Sequence, residues 1–207
     1  MEKNKERTQR LVMLAILLAL TVVLQLWGSA IPVGGGLNLN FVLIPIVLGG
    51  ILIGPVAGAI LGLLFGVIVL MTGVTGSNFF TAILFQNQPI ATTVICLGKG
   101  ACAGLAAGWI YRLLRGKNEL AAVFAAAAAA PIVNTGLFVL GALSIASKGV
   151  HAFMSHPDVA ASIPAGTTLI YYVIIGLVGV NFLLEFGVNI VVAPALHRVV
   201  TVVKKRF

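Results

Sequence analysis

Three polar side chains interrupt long apolar stretches of this chain and could bind a solute: the ammonium of Lys99, the amide of Asn134 and the carboxylate of Glu185. Within a bilayer a charge is costly unless it is paired or solvated in a cavity, so such residues mark a polar site or an ion pair. Two readings are open. The three can hold a small polar molecule, or Lys99 and Glu185 can pair and merely lock two helices together. An ion or proton relay through the same two residues, in a secondary transporter or small channel, is the alternative function. Catalytic chemistry has no comparable support, because there is no Gly-x-Ser-x-Gly elbow, no His-Glu-x-x-His, no phosphate-binding Gly-x-x-x-x-Gly-Lys-Ser/Thr loop and no paired aspartates. The chain is therefore expected not to be an enzyme, and any ATP-driven step must borrow its motor from another protein. His151, His156 and Asp158 lack the spacing of a standard metal site. Cys96 and Cys102 fall on different faces of one helix, so neither a disulfide, a metal nor a cofactor is expected.

The elements that position these residues are membrane helices. Of the 207 residues 60% are hydrophobic and 9% charged, with a mean hydropathy of +1.13, far outside the usual soluble range. A bilayer core of about 30 Å takes roughly 20 apolar residues per helix. Six segments fit, at about 10–31, 40–53, 55–72, 89–114, 120–146 and 167–199, which predicts an all-α integral membrane protein of one six-helix domain over 1–207. The second and third segments meet at Gly54-Pro55. Gly permits an unusual backbone angle there and Pro opens the next helix without needing an amide donor, so a tight helical hairpin is expected.

Charge fixes the orientation. Basic residues cluster at Lys3, Lys5, Arg7 and Arg10, at Arg112, Arg115 and Lys117, and at Arg198, Lys204, Lys205 and Arg206, whereas the loops 32–39 and 74–88 hold no Lys or Arg and 147–166 holds one. Positive residues are retained in the cytoplasm, so both termini are expected inside. The net charge of +8 is thus a topological signal and not a nucleic-acid footprint. The first segment shares a basic leader and small residues at Ser29-Ala30 with signal peptides, but its apolar stretch is longer, and a retained helix is expected. Lys99 lies 16 positions before Arg115, Asn134 lies 15 after Glu119 and Glu185 lies 13 before Arg198. At 1.5 Å per residue the three depths agree within about 5 Å. Three distant segments thus place polar groups in one layer, and Asn181 and Asn189 extend it along the last helix. Pro131 suggests a local opening of the backbone near Asn134.

Small residues recur every four positions at Ala15 and Ala19, at Gly54, Gly58, Gly62 and Gly66, and at Gly100, Gly104 and Gly108. Each series makes a smooth stripe for close helix packing. The two glycine series are expected to pack within the bundle, while the alanine pair would serve an internal or an external partner equally. The glycine-rich segment 34–40, with Asn38 and Asn40, and the amides Asn78, Gln86, Asn87 and Gln88 lie in expected outer loops and could cover an outward cavity.

The basic leader followed by Ala15-Ile16-Leu17-Leu18-Ala19, the Pro45 to Gly58 hairpin around Gly54-Pro55, and six helices in some 200 residues resemble the substrate-binding S components of energy-coupling factor (ECF) vitamin transporters. The resemblance covers essentially the whole chain. It implies a subunit of the bacterial cytoplasmic membrane that captures a vitamin outside and joins a transmembrane coupling protein and two ATP-binding subunits. It also implies that Ala15 and Ala19 pack on the coupling protein, that substrate is held by Asn38, Asn40, Asn78, Gln86, Asn87, Lys99, Asn134 and Glu185, and that transport involves toppling of the whole subunit. Lys99 alone favours a small anionic vitamin such as pantothenate, with riboflavin and folate open.

Overall fold

Gly54 and Pro55 set the first sharp corner of the bundle. Gly54 takes φ +140°, a conformation that disfavours a side chain, and Pro55 starts the helix that follows. The computed structural model describes the backbone of residues 2–28, 32–34, 37–38 and 41–204, and the side chains of 4–28 and 41–204. In it the corner joins a short α2 (Leu43–Leu52) to a full-length α3 (Pro55–Val74). Helix α1 (Glu2–Gly28) precedes them. After them come α4 (Phe79–Asn87), α5 (Pro89–Leu114), α6 (Glu119–Leu143), α7 (Ser147–Met154), α8 (Pro157–Ala160) and α9 (Leu169–Lys204).

Helices α1, α3, α5, α6 and α9 are long and apolar enough to cross a bilayer, and α2 is a shorter apolar helix of 10 residues. The architecture is that of an all-α membrane protein, with differences from the expected segments that have local causes. The leader is part of α1, since its Glu, Lys, Arg and Gln residues are good helix formers. Two expected loops contain helices. In the first, Asn78 caps α4 by accepting a hydrogen bond from the Thr81 amide at 2.9 Å, and the apolar run beyond it buries Phe80, Ile83 and Leu84. In the second, α7 buries Val150 and Phe153. The glycine-rich segment holds a short antiparallel pair, with Pro32 opposite Asn38 and Gly34 opposite Leu37. Pro131 is buried inside a continuous α6, and α9 carries a π-helical stretch at Tyr172–Leu177.

The glycine series explain how α3 and α5 come together. A Cβ at Gly58, Gly62 or Gly66 would overlap the carbonyl oxygen of Gly104, Gly100 or Cys96, so the two backbones touch along their length. Both series pack inside the bundle, as their spacing predicts. Helix α1 is more peripheral: 22% of its apolar stretch is buried, against 44% in α6. It meets α2 and α3 through Leu17, which clusters with Leu43, Ile46, Leu61 and Phe65.

Two further apolar clusters divide the bundle. One gathers Phe80, Leu84, Ile95, Phe138, Phe153 and Leu177, and the other gathers Ile51, Tyr111, Val123, Ala127, Ala193 and Leu196. Along each of α5, α6 and α9 the polar residue of interest falls between the two. Lys99 lies between Ile95 and Ala107, Asn134 between Ala130 and Phe138, and Glu185 between Val178 and Ala193. Beyond the second cluster a clasp ties the ends of the same helices. Tyr111 of α5 donates its hydroxyl hydrogen to Glu119 of α6 at 2.8 Å, and Lys204 of α9 pairs with the same carboxylate and lies 5.2 Å above the Tyr111 ring.

Candidate functional site

Between the two clusters the helices do not close. A cavity of about 320 Å³ opens there, with Lys99 of α5, Asn134 of α6 and Glu185 of α9 on its wall. Its volume suits a small molecule, at the lower end of the usual range for ligand pockets. Helix α1 reaches it with Gln25, α3 with Thr72, and Asn78 and Thr81 border it from the start of α4.

Glu185 is 1% exposed, and its own helix organises the groups around it. Asn181, one turn earlier, donates from Nδ2 to Glu185 Oε1 at 2.9 Å, and Asn189, one turn later, donates from Nδ2 to the Glu185 carbonyl at 2.8 Å. The spacing of four residues places all three on one face of α9. Lys99 is half-buried, and its Nζ stands 5.2 Å from the centre of the Phe138 ring and 5.5 Å from that of Phe65. Aromatic faces are electron-rich and hold a cation in place without consuming it in an ion pair. The Oδ1 atoms of Asn134, Asn181 and Asn189 are buried and accept no hydrogen bond among the described residues. A buried acceptor without a donor costs about 1–3 kcal/mol, so the wall, which includes Asn134 and Asn181, is polar beyond what packing requires.

Of the eight residues expected at a binding site, Asn78, Lys99, Asn134 and Glu185 line this cavity. Asn40 and the side chain of Asn38 lie outside the described residues. Gln86 and Asn87 do not line it, and the register of α4 is the reason. Gln86 projects outward, and Asn87 donates from Nδ2 to the Ile83 carbonyl of its own helix at 2.8 Å. Gln88, which follows them, bridges to the α6–α7 connection instead. Gln25 joins the wall without having been among the expected residues. Its signal was available, because Thr21 and Gln25 lie four apart in an apolar helix, and both are buried. The wall threonines carried no such signal, since threonine is common in membrane helices and bonds its own backbone. On the opposite face of α1, Ala15 and Ala19 are exposed.

A family model for the ECF transporter, substrate-specific component, matches residues 9–197. The chain belongs to that family. The match takes in the cavity-bearing helices and nearly all of α1. No curated protein matches the sequence significantly. As an ECF substrate-specific component the chain is a membrane-embedded transporter subunit, the part that selects the solute, and works with an energy-coupling module. The wall of the cavity carries an ammonium, a carboxylate, several amides and several hydroxyls among its apolar side chains.

Proposed function

We propose that this ECF component captures a water-soluble vitamin or related micronutrient outside the cell, in the cavity between α1, α3, α5, α6 and α9. The solute is then released inward as this subunit topples within the bilayer against a coupling protein driven by two ATP-binding subunits, in the cytoplasmic membrane of a bacterium, with both termini of this chain in the cytoplasm. The observation that carries the reading is the convergence of Lys99, Asn134 and Glu185, from three separate helices, on one cavity of small-molecule size. Asn78 borders the same space. The preference for an anionic vitamin loses its basis, because Glu185 on the same wall offsets Lys99.

The test is uptake of a panel of radiolabelled vitamins by cells that express this chain with and without the coupling module. Uptake is expected to need the module and intact ATP hydrolysis. Accumulation by the isolated chain under a proton gradient would overturn the proposal in favour of a secondary transporter. Lys99→Ala is expected to weaken binding of the transported solute by about tenfold or more, the range for removing one partner of a buried charged contact. Unchanged affinity would remove Lys99 from the site.

A further inference from the structure

The charges on the cavity wall constrain the occupant more than any single residue does. Among the described residues, Lys99 is the one cation and Glu185 the one anion on the wall. The segment 29–40, whose beginning follows Gln25 and Leu26 on that wall, contains no Asp, Glu, Lys, Arg or His and adds no charge. With both groups ionised, the formal charge of the wall is zero. Two arrangements follow, and both select the same kind of occupant. With Lys99 and Glu185 compensating each other, an ionic ligand has no partner. With the two kept apart, a ligand that engages both must offer each a group of opposite charge. A ligand of net charge leaves one ion uncompensated inside the membrane in either case, and that is strongly unfavourable.

Hydrogen-bonding atoms narrow the class further. The hydroxyls of Thr72 and Thr92 direct their hydrogens to the Val69 and Gln88 carbonyls of their own chain, at 2.7 and 2.8 Å, and so face the cavity as acceptors only. Asn181 must turn its NH₂ toward Glu185, which leaves Oδ1 as its remaining group. Among the described residues, that atom and Asn134 Oδ1 meet no donor, in residues 9% and 5% exposed. These groups offer acceptors to an occupant, beside the other amides and hydroxyls of the wall, and the charged donor, Lys99, stands apart beside two phenylalanines. Resting on the reading of this cavity as the substrate site, we infer that the substrate is a formally neutral small molecule, uncharged or zwitterionic, that carries several N–H or O–H donors.

Matched compounds that differ in charge and little in shape test this. Nicotinamide against nicotinate, panthenol against pantothenate, and riboflavin against its phosphate are titrated calorimetrically into the full purified chain, its Glu185→Gln variant and its Lys99→Met variant, with thiamine as a cation. Wild-type protein is expected to bind the neutral member of at least one pair about tenfold or more tighter than the anion, and tighter than thiamine. Glu185→Gln should move that preference toward the anion by about tenfold, and Lys99→Met should move it the other way. A wild-type preference for an anion or for thiamine, a preference unmoved in both variants, or no binding by any of these compounds overturns the inference. Thermal unfolding reports whether each variant folds, and the wild-type preference decides even if neither does. Failure of the transporter reading shows elsewhere, as charge-selective binding without ATP-dependent uptake when the coupling module is supplied.

Discussion

At the scale of single residues, Gln88 shows how one amide ties together parts of the chain far apart in sequence. Its Nε2 donates to the Ile145 carbonyl at 2.7 Å and its Oε1 accepts from the Gly149 amide at 2.8 Å, in the first turn of α7. Truncation leaves the buried Gly149 N–H without a partner, at a cost of about 1–3 kcal/mol. Gln88→Ala is therefore expected to lower thermal stability by that amount and to speed hydrogen exchange at Gly149. Gln86→Ala, two positions away and exposed, should change stability by less than about 0.5 kcal/mol. Equal losses in the two variants would mean that the register of α4 is wrong. In the sequence Gln86, Asn87 and Gln88 look alike, because only the rotation of a helix sorts them and the apolar run that makes α4 is short. Lys99, Asn134 and Glu185 were legible for the opposite reason: each lies a countable distance from a charged helix end, and helical rise turns that count into depth.

At the scale of elements, the contact between α3 and α5 separates glycines that are structural from those that are incidental. Gly100 faces Gly62, where a Cβ would overlap its carbonyl oxygen, while Gly98, two residues earlier on the same helix, has nothing within 4 Å of a Cβ. Gly100→Ala must push two backbones apart, and is expected to destabilise by at least about 1–3 kcal/mol. Gly98→Ala should be neutral or stabilising by up to about 1 kcal/mol, since alanine loses less backbone entropy in a helix. Thermal unfolding in detergent checks both, and equal effects would refute the packing. The four-residue repeats made this interface readable in advance. The π-helical stretch of α9 was not readable, because one inserted residue changes backbone bonding without changing composition or hydropathy. The helices α7 and α8 were hidden for a related reason, being too short for a sustained apolar pattern.

At the scale of the whole molecule, α1 has one buried face and one exposed face. Leu17, Thr21 and Gln25, at intervals of four, are buried, and Gln25 reaches the cavity wall. Ala15 and Ala19 are exposed on the other side, among Leu11, Val12, Ile16 and Val23. Lipid alone would be served as well by larger side chains, whereas two alanines one turn apart let the backbone of another helix approach closely. The proposed assembly with a coupling protein needs such an approach, so bulk added there should act on assembly and not on the fold. Ala15→Trp places its ring outside the bundle, away from the cavity and from every buried cluster. It is expected to leave ligand binding and thermal stability unchanged while abolishing co-purification with the coupling module and ATP-dependent uptake. If binding is lost as well, the exposed face of α1 supports the fold instead. If assembly and uptake both survive, the partner docks elsewhere, and the outward position of the alanine pair needs another explanation.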